Sequence, residues 1–242
     1  METDLKPAFY ALEKGGWRDY STILHPPYTL WHLSYVVMGV ALSPSLHLDR
    51  LGGTLLAFFL AVGIGAHALD ELNGRPLKTH IPTWALSVAA AISIGGAVAL
   101  GVVAAFTISL WLLAFVAFGG FILLAYNLEL FGGRFHSNFW FALSWGAFPF
   151  LTGYWVSALD INAAAVLVAA SCFGLSLAQR VLSTQVRSIR RKAVRVSGVV
   201  EFAGGKTMTL DKAVFLSSPE SSLKFLSAAV VLLAIGLLAL NY

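Results

Sequence analysis

The sequence predicts an all-α membrane protein, a polytopic bundle of about seven transmembrane helices. Hydrophobic residues make up 58% of the 242 residues and charged residues only 12%, whereas about a quarter of a soluble domain is charged. The mean hydropathy is +0.78. A bilayer core about 30 Å thick requires roughly 20 apolar residues per helix. Seven runs meet or approach that length: 28–43, 51–71, 83–105, 107–127, 138–158, 163–183 and 222–240.

The composition of these runs favours helices over a β-barrel. The runs are continuous in Leu, Ala, Val, Phe and Gly and do not alternate with polar residues. We expect residues 1–27 to form a cytoplasmic N-terminal segment and residues 28–242 to form one transmembrane domain. A cytoplasmic segment at about 187–221 interrupts that domain, and its "VVEFAGGKTMTL" stretch is compatible with a small β-hairpin. The single Cys172 lies inside the sixth run and excludes a disulfide within one chain.

The lysines and arginines predict the orientation. With seven spans, the N-terminus and the loops after the second, fourth and sixth helices share one side of the membrane. That side carries nearly all the Lys and Arg residues, and the other side has Arg50 alone. The positive-inside rule makes the basic side cytoplasmic, and we expect the inner cell membrane. The net charge of +4 then indicates anionic membrane lipids, not nucleic acid, as its partner.

Charged residues mark the end of the second run in "AHALDELNGRPLKTHIP". His67, Asp70 and Glu71 are spaced i, i+3 and i+4, which places them on one helical face. Ionisable groups at membrane depth are costly and usually point into a cavity of the bundle. An interfacial cluster in which Arg75 neutralises Glu71 is the alternative explanation.

Two further polar clusters follow on the same predicted side. The loop after the fourth run, "YNLELFGGRFHSNF", contains Asn127, Glu129, Arg134 and His136. The sixth run ends in "AQRVLSTQVRSIRRKAVR", a strongly cationic stretch with the residues Gln179, Gln185, Arg187, Arg190, Arg191 and Lys192. We therefore predict one cytoplasm-facing pocket with carboxylates and cations from all three clusters.

With these motifs placed, the chain resembles the UbiA superfamily of intramembrane prenyltransferases over roughly residues 26–195. "AHALDELNG" is similar to the family's N-D-x-x-D-x-x-x-D motif but keeps only Asp70, and "GRPL" resembles the Arg-Pro pair that follows it. "AYNLELFGGRFHSNFWFALSWGAFPFLTGYWV" resembles the family's fourth loop and fifth helix, with Arg134 near the diphosphate. "RSIRRK" keeps Arg187 of the R-D-x-x-x-D motif, but Lys192 replaces an aspartate and reverses the local charge.

The resemblance implies a shortened, divergent prenyltransferase that acts on an isoprenoid diphosphate and a lipophilic acceptor. Asp70 and Glu71 would be catalytic and, with His67, would hold a cation such as Mg²⁺. Cationic side chains would bind the diphosphate directly. These diphosphate-binding residues are Arg75, Lys78, Arg134, Arg187 and Lys192, and the predicted pocket residues are Asn127, Tyr126, Trp145 and Tyr154.

Two alternatives remain open at the sequence level. The loss of motif carboxylates favours a catalytically inactive relative that binds an isoprenoid lipid or quinone, or serves as a subunit of a homo-oligomer or membrane complex. The second alternative is an intramembrane metal or haem protein, because histidine and carboxylate at helical spacing can hold iron, manganese or zinc. Its candidate ligands are His67, Asp70, Glu71, His32 and His136.

Overall fold

The computed structural model describes residues 6–241, which form eight helices and one β-hairpin. The helices are α1 (Trp17–Ile23), α2 (Pro26–Ala41), α3 (Leu48–Leu72), α4 (Thr83–Thr107), α5 (Leu112–Asn127), α6 (138–158), α7 (Ala163–Arg191) and α8 (Lys212–Ala239). The hairpin pairs β1 (Gly198–Glu201) with β2 (Thr207–Leu210) and connects α7 to α8. The predicted hairpin is confirmed, with Gly204 and Gly205 at positive φ in its turn.

All seven predicted apolar runs are helical and correspond to α2 through α8. Within residues 6–241, four helices are long and apolar enough to cross a membrane: α3, α4, α7 and α8. Helix α5 is a shorter apolar helix, and the 16 residues of α2 extend only about 24 Å. The structure therefore supports a helical membrane protein with four long candidate spans, where the sequence predicted seven.

Polar side chains fix the starts of several helices. Ser137 at the start of α6 accepts a hydrogen bond from the backbone N–H of Trp140. Asn162 caps α7 by accepting from the N–H of Ala165 at 2.9 Å, and Asp211 caps α8 in the same way. Each cap satisfies a backbone donor that the first helical turn leaves free.

Helices α2 and α6 pack backbone to backbone at the centre of the fold. A Cβ atom placed on Gly39 would lie 2.2 Å from the carbonyl oxygen of Phe150, and one on Gly153 would lie 2.4 Å from that of Val36. Only glycine permits the two backbones to lie this close. In lipid no hydrophobic effect drives helices together, so close van der Waals contact of this kind stabilises their association. Most residues of α2 are accordingly buried, and its Trp31 donates a hydrogen bond to the hydroxyl of Tyr35.

Helices α3 and α6 each contain a π-helical segment, Phe59–Ala66 and Leu143–Ala147. Such wide turns interrupt the regular α-helical register and often occur at functional sites. The α3 segment ends immediately before His67, and the α6 segment contains Trp145. Both helices therefore change register next to the residues that the sequence had singled out.

Candidate functional site

Three arginines of α7 form what we call the arginine cluster: Arg180, Arg187 and Arg191. They are seven and then four positions apart, which places them on one helical face. All three, together with His136, act electrostatically on Asp70 of α3. Among the described residues none of them forms an ion pair with Asp70, so the carboxylate lies within electrostatic range of the guanidinium groups without pairing with any of them. The polar ends of α3 and α7 and the loop after α5 thus meet at what we call the charged end of the molecule.

Arg180 is seated on aromatic rings at the base of this cluster. Its guanidinium carbon lies 5.2 Å from the ring centroid of Phe141 and 5.9 Å from that of Tyr126, within the range of cation–π attraction. Its Nη2 donates to Nε2 of His136 at 3.3 Å. The Nδ1–H of that histidine donates to the carbonyl of Tyr126 at 3.0 Å, so the imidazole links the arginine to α5.

Two polar atoms of this seat are buried without a partner in the part of the chain that the structure describes. They are Nε of Arg180 and the hydroxyl oxygen of Tyr126. Leaving a buried hydrogen-bonding group unpaired costs about 1–3 kcal/mol. The site contains two such groups, and Asp70 nearby forms no ion pair among the described residues. The site therefore has unused hydrogen-bonding capacity. A polar ligand group at this position would use it.

Glu71 has a different environment from its neighbour Asp70. Its side chain is 0% exposed and accepts hydrogen bonds from the N–H of Leu77 at 3.0 Å and from the N–H and hydroxyl of Thr79, both at 2.8 Å. Both carboxylate oxygens are therefore used by the loop between α3 and α4. In this structure Glu71 organises a loop and does not face the arginine cluster with free oxygens.

Arg75 braces the same loop. Its guanidinium donates to the carbonyl of Ile81 at 2.6 Å and to the hydroxyl of Thr83 at 2.9 Å. Arg75 and Lys78 both have positive φ, 52° and 55°, so the loop turns sharply at each of them. The structure therefore places the Arg75 side chain along the loop and leaves Lys78 exposed at its surface.

A pair of histidines lies beside the cluster. The rings of His25 and His67 are stacked with centroids 4.1 Å apart, and Nδ1 of His67 donates to the carbonyl of Gly63 at 3.1 Å. The Tyr10 hydroxyl donates to Nδ1 of His25 at 2.7 Å. Burial lowers the pKa of His25 well below its usual value, and the neighbouring His67, Arg191 and Arg187 lower it further. His25 is therefore a neutral acceptor at neutral pH.

An apolar cavity of about 480 Å³ lies between α3, α4, α5 and α6. It extends along α3 from Asp49 to Val62 and reaches Trp145 of α6. The Trp145 ring packs 4.6 Å from that of Tyr126, which in turn lies under Arg180. Asp70 follows Val62 by eight residues, about 12 Å along the helix. The rings of Trp145 and Tyr126 therefore lie between the cavity and Arg180 at the charged end.

The remaining predicted site residues are distributed over the molecule. Asn127 is buried and donates to the carbonyl of Leu123 within α5. Tyr154 lies near the other end of α6, where its hydroxyl accepts from Asn162 at 2.8 Å. Arg134 and Lys192 are exposed. Of the predicted residues, the structure brings Asp70, Arg187, Tyr126 and Trp145 towards one site and gives the others local roles.

The described residues contain no group of three His, Cys, Asp or Glu side chains arranged to hold a metal ion. The predicted set of His67, Asp70 and Glu71 does not form such a group, since Glu71 serves the loop and His67 stacks on His25. His32 donates instead to the carbonyl of Trp145 at 2.7 Å. The donor set therefore does not fit a metal centre built from protein ligands alone.

Sequence reasoning missed Arg180, Tyr10 and His25 as parts of this site, and it named Arg191 only as a member of the cationic end of the sixth run. The two arginines carried a usable signal, because their spacing to Arg187 corresponds to one helical face. Tyr10 and His25 carried none, since their positions depend on how the N-terminal segment folds back. Comparison with protein-family models, with curated proteins and with solved structures finds no match for this chain.

Proposed function

We propose that this chain is an intramembrane protein that binds an isoprenoid diphosphate and transfers its prenyl group to a lipophilic acceptor. The single observation that supports this most strongly is that an apolar cavity reaches Trp145, whose ring packs on Tyr126 beneath Arg180 of the arginine cluster. A ligand matched to both features has a multiply charged head and a long apolar tail. The motif resemblance to the UbiA superfamily points to the same class of ligand.

In this proposal the arginine cluster binds the diphosphate. Guanidinium groups bind phosphate oxygens through paired, charge-assisted hydrogen bonds, and Arg180 has an unpaired Nε–H available for one of them. The prenyl chain would lie in the cavity, whose lining reaches Trp145, and the Trp145 ring packs against that of Tyr126. Aromatic faces there would also stabilise positive charge on the allylic carbon.

The transfer step would proceed by cleavage of the allylic carbon–oxygen bond, with both electrons leaving on the diphosphate. The arginines would stabilise the developing negative charge. The acceptor would bond to the allylic carbon and lose a proton to Asp70, whose carboxylate faces the cluster without an ion pair in the described chain. The described residues contain no group of three metal-binding side chains, and this proposal assigns charge neutralisation to the arginines.

The proposal includes a seven-span topology in the inner cell membrane with a cytoplasmic N-terminus. The distribution of lysine and arginine supports it. Helices α2, α5 and α6 would then complete the four long helices as shorter or interrupted spans. Reporter fusions after each predicted loop test this arrangement, and a reporter after α3 should be active on the cytoplasmic side.

Purified protein in lipid nanodiscs should bind geranylgeranyl diphosphate both with Mg²⁺ and with a chelator present. Arg187→Gln should weaken binding about tenfold or more, since a hydrogen bond to a charged group contributes about 1.5–3 kcal/mol. Arg195→Gln, an exposed arginine beyond α7, is the matched control and should leave binding unchanged. Asp70→Asn should retain binding and lose transfer of the prenyl group to the acceptor, because the base that takes the acceptor's proton is removed. Equal binding by Arg187→Gln and wild type would contradict the proposed site.

A second candidate function is isoprenoid or quinone binding without catalysis. It is favoured by the use of both Glu71 oxygens in the loop and by Lys192 at a position where the family has a carboxylate. Mass spectrometry of lipid that remains bound after purification distinguishes the two. A stoichiometric isoprenoid alcohol or quinone, with no diphosphate release from any prenyl diphosphate, would favour binding alone.

A further inference from the structure

Residues 6–13 cross the charged end of the molecule and contact several elements there. The Phe9 ring packs edge-on against Tyr28 of α2 with centroids 6.3 Å apart, and the Lys224 ammonium of α8 lies 5.4 Å from its centroid. The Tyr10 hydroxyl donates to His25. Ala8 is buried with Leu77 in a small cluster. The segment thus joins α2, α8 and the loop after α3 across the site.

The segment also occupies arginine donors. Nη1 of Arg190 donates to the carbonyl of Lys6 at 3.0 Å, and Nε of Arg191 donates to the carbonyl of Pro7 at 3.1 Å. Tyr10 lies within electrostatic range of Arg191 and Arg187. A neutral carbonyl is a weaker acceptor than a phosphate oxygen. The Pro7 carbonyl therefore holds a position at Arg191 that a phosphate oxygen would hold more strongly, whereas Arg190 is also paired with the carboxylate of Glu220.

Little space remains beneath the segment. The gap between Pro7, Tyr10 and the arginines of α7 has a volume of about 20 Å³, roughly enough for one water molecule. A diphosphate has two phosphorus atoms and seven oxygens, so it does not fit there while the segment is in place. Access of a diphosphate to Arg187 and Arg191 requires the segment to move.

We propose that residues 6–13 form a lid on the arginine cluster and that a phosphate-bearing ligand displaces this lid by competing with the Pro7 carbonyl for Arg191. The proposal rests on the proposed function in one respect, the binding of a diphosphate at this cluster. The lid is held by ring contacts, by the burial of Ala8 with Leu77 and by hydrogen bonds between neutral groups at Tyr10 and Leu12. Its bonds to the arginines are made by neutral carbonyls, and phosphate oxygens are stronger acceptors. It would shield the arginines until a diphosphate arrives.

Thiol labelling tests the movement. Ala8 is 5% exposed, so in a Cys172→Ala background the Ala8→Cys thiol should react slowly with a maleimide. Saturating inorganic pyrophosphate should raise that rate at least about tenfold, the change expected when an open fraction near one tenth becomes dominant. Ser221→Cys, exposed on α8, should label at the same rate with and without pyrophosphate. An unchanged or slower Ala8→Cys rate with pyrophosphate bound would overturn the lid.

Affinity provides the second test. Phe9→Ala removes the ring contacts with Tyr28 and Lys224 and should tighten pyrophosphate binding, because less of the binding energy is used to open the lid. Unchanged or weaker affinity of Phe9→Ala would overturn the lid while leaving diphosphate binding intact. If pyrophosphate and geranylgeranyl diphosphate bind neither wild type nor Phe9→Ala, diphosphate binding itself fails, and the lid proposal fails with it.

Discussion

Replacing Glu71 with glutamine should destabilise the fold without removing a chemical group from the site. The carboxylate accepts three hydrogen bonds, from the N–H of Leu77 and from the N–H and hydroxyl of Thr79. Glutamine offers one acceptor oxygen, and its NH₂ group would oppose a backbone N–H of the loop. The loss of one bond to a charged, buried group and the weakening of the others should cost about 3 kcal/mol.

The assay is thermal unfolding of the purified protein in detergent. For a chain of this size about 1 kcal/mol shifts Tm by roughly 2–4 °C, so Glu71→Gln should lower Tm by about 6–12 °C. Glu129→Gln, at an exposed glutamate, is the matched control and should shift Tm by less than about 2 °C. If Glu71→Gln kept wild-type Tm and lost only diphosphate release, the loop role would be refuted and Glu71 would belong to the chemistry.

Two further outcomes follow from the packing and from the histidine pair. Gly153→Ala places a methyl group 2.4 Å from the Val36 carbonyl and should lower Tm by at least the equivalent of about 1–3 kcal/mol; Gly236→Ala, in open space, should not lower it. The lowered pKa of His25 keeps it neutral in the folded state, whereas the unfolded chain binds a proton below about pH 6.5. The contribution of neutral His25 to the free energy of unfolding is therefore fully present above about pH 6.5 and declines as the pH falls below that value. His25→Gln should show a smaller loss of Tm between pH 7 and pH 5 than wild type, and an equal loss would contradict this assignment.

The helices could be predicted because each depends on a local property, a continuous apolar run of sufficient length. All seven runs are helical. The 16 residues of α2 are too few to cross a bilayer core about 30 Å thick, and α6 is interrupted by its π-helical segment. The π-helical segments could not be predicted, since their residues, such as "FLAVGIGA", have the same composition as the α-helical turns around them. Their presence depends on tertiary packing.

The candidate site could be predicted only in part. Asp70 and Arg187 were found because they lie at helix ends on the same predicted side, and in the structure Arg187 acts electrostatically on Asp70. Glu71 was grouped with Asp70 by adjacency, yet it hydrogen-bonds to Thr79, eight residues later, through a loop conformation that helical periodicity does not encode. Tyr10 entered the site through a chain reversal that leaves no periodic signal.

The π-helical segment of α3 determines which way the end of that helix faces. Each residue of an α-helix advances the side chains by about 100°, so one residue more or fewer between Phe59 and Ala66 would turn Asp70 by more than a quarter of a circle. The carboxylate would then point at a neighbouring helix or at lipid and away from α7. The direction of the Asp70 carboxylate relative to the arginine cluster therefore depends on the eight uncharged residues Phe59–Ala66, which precede it in the same helix.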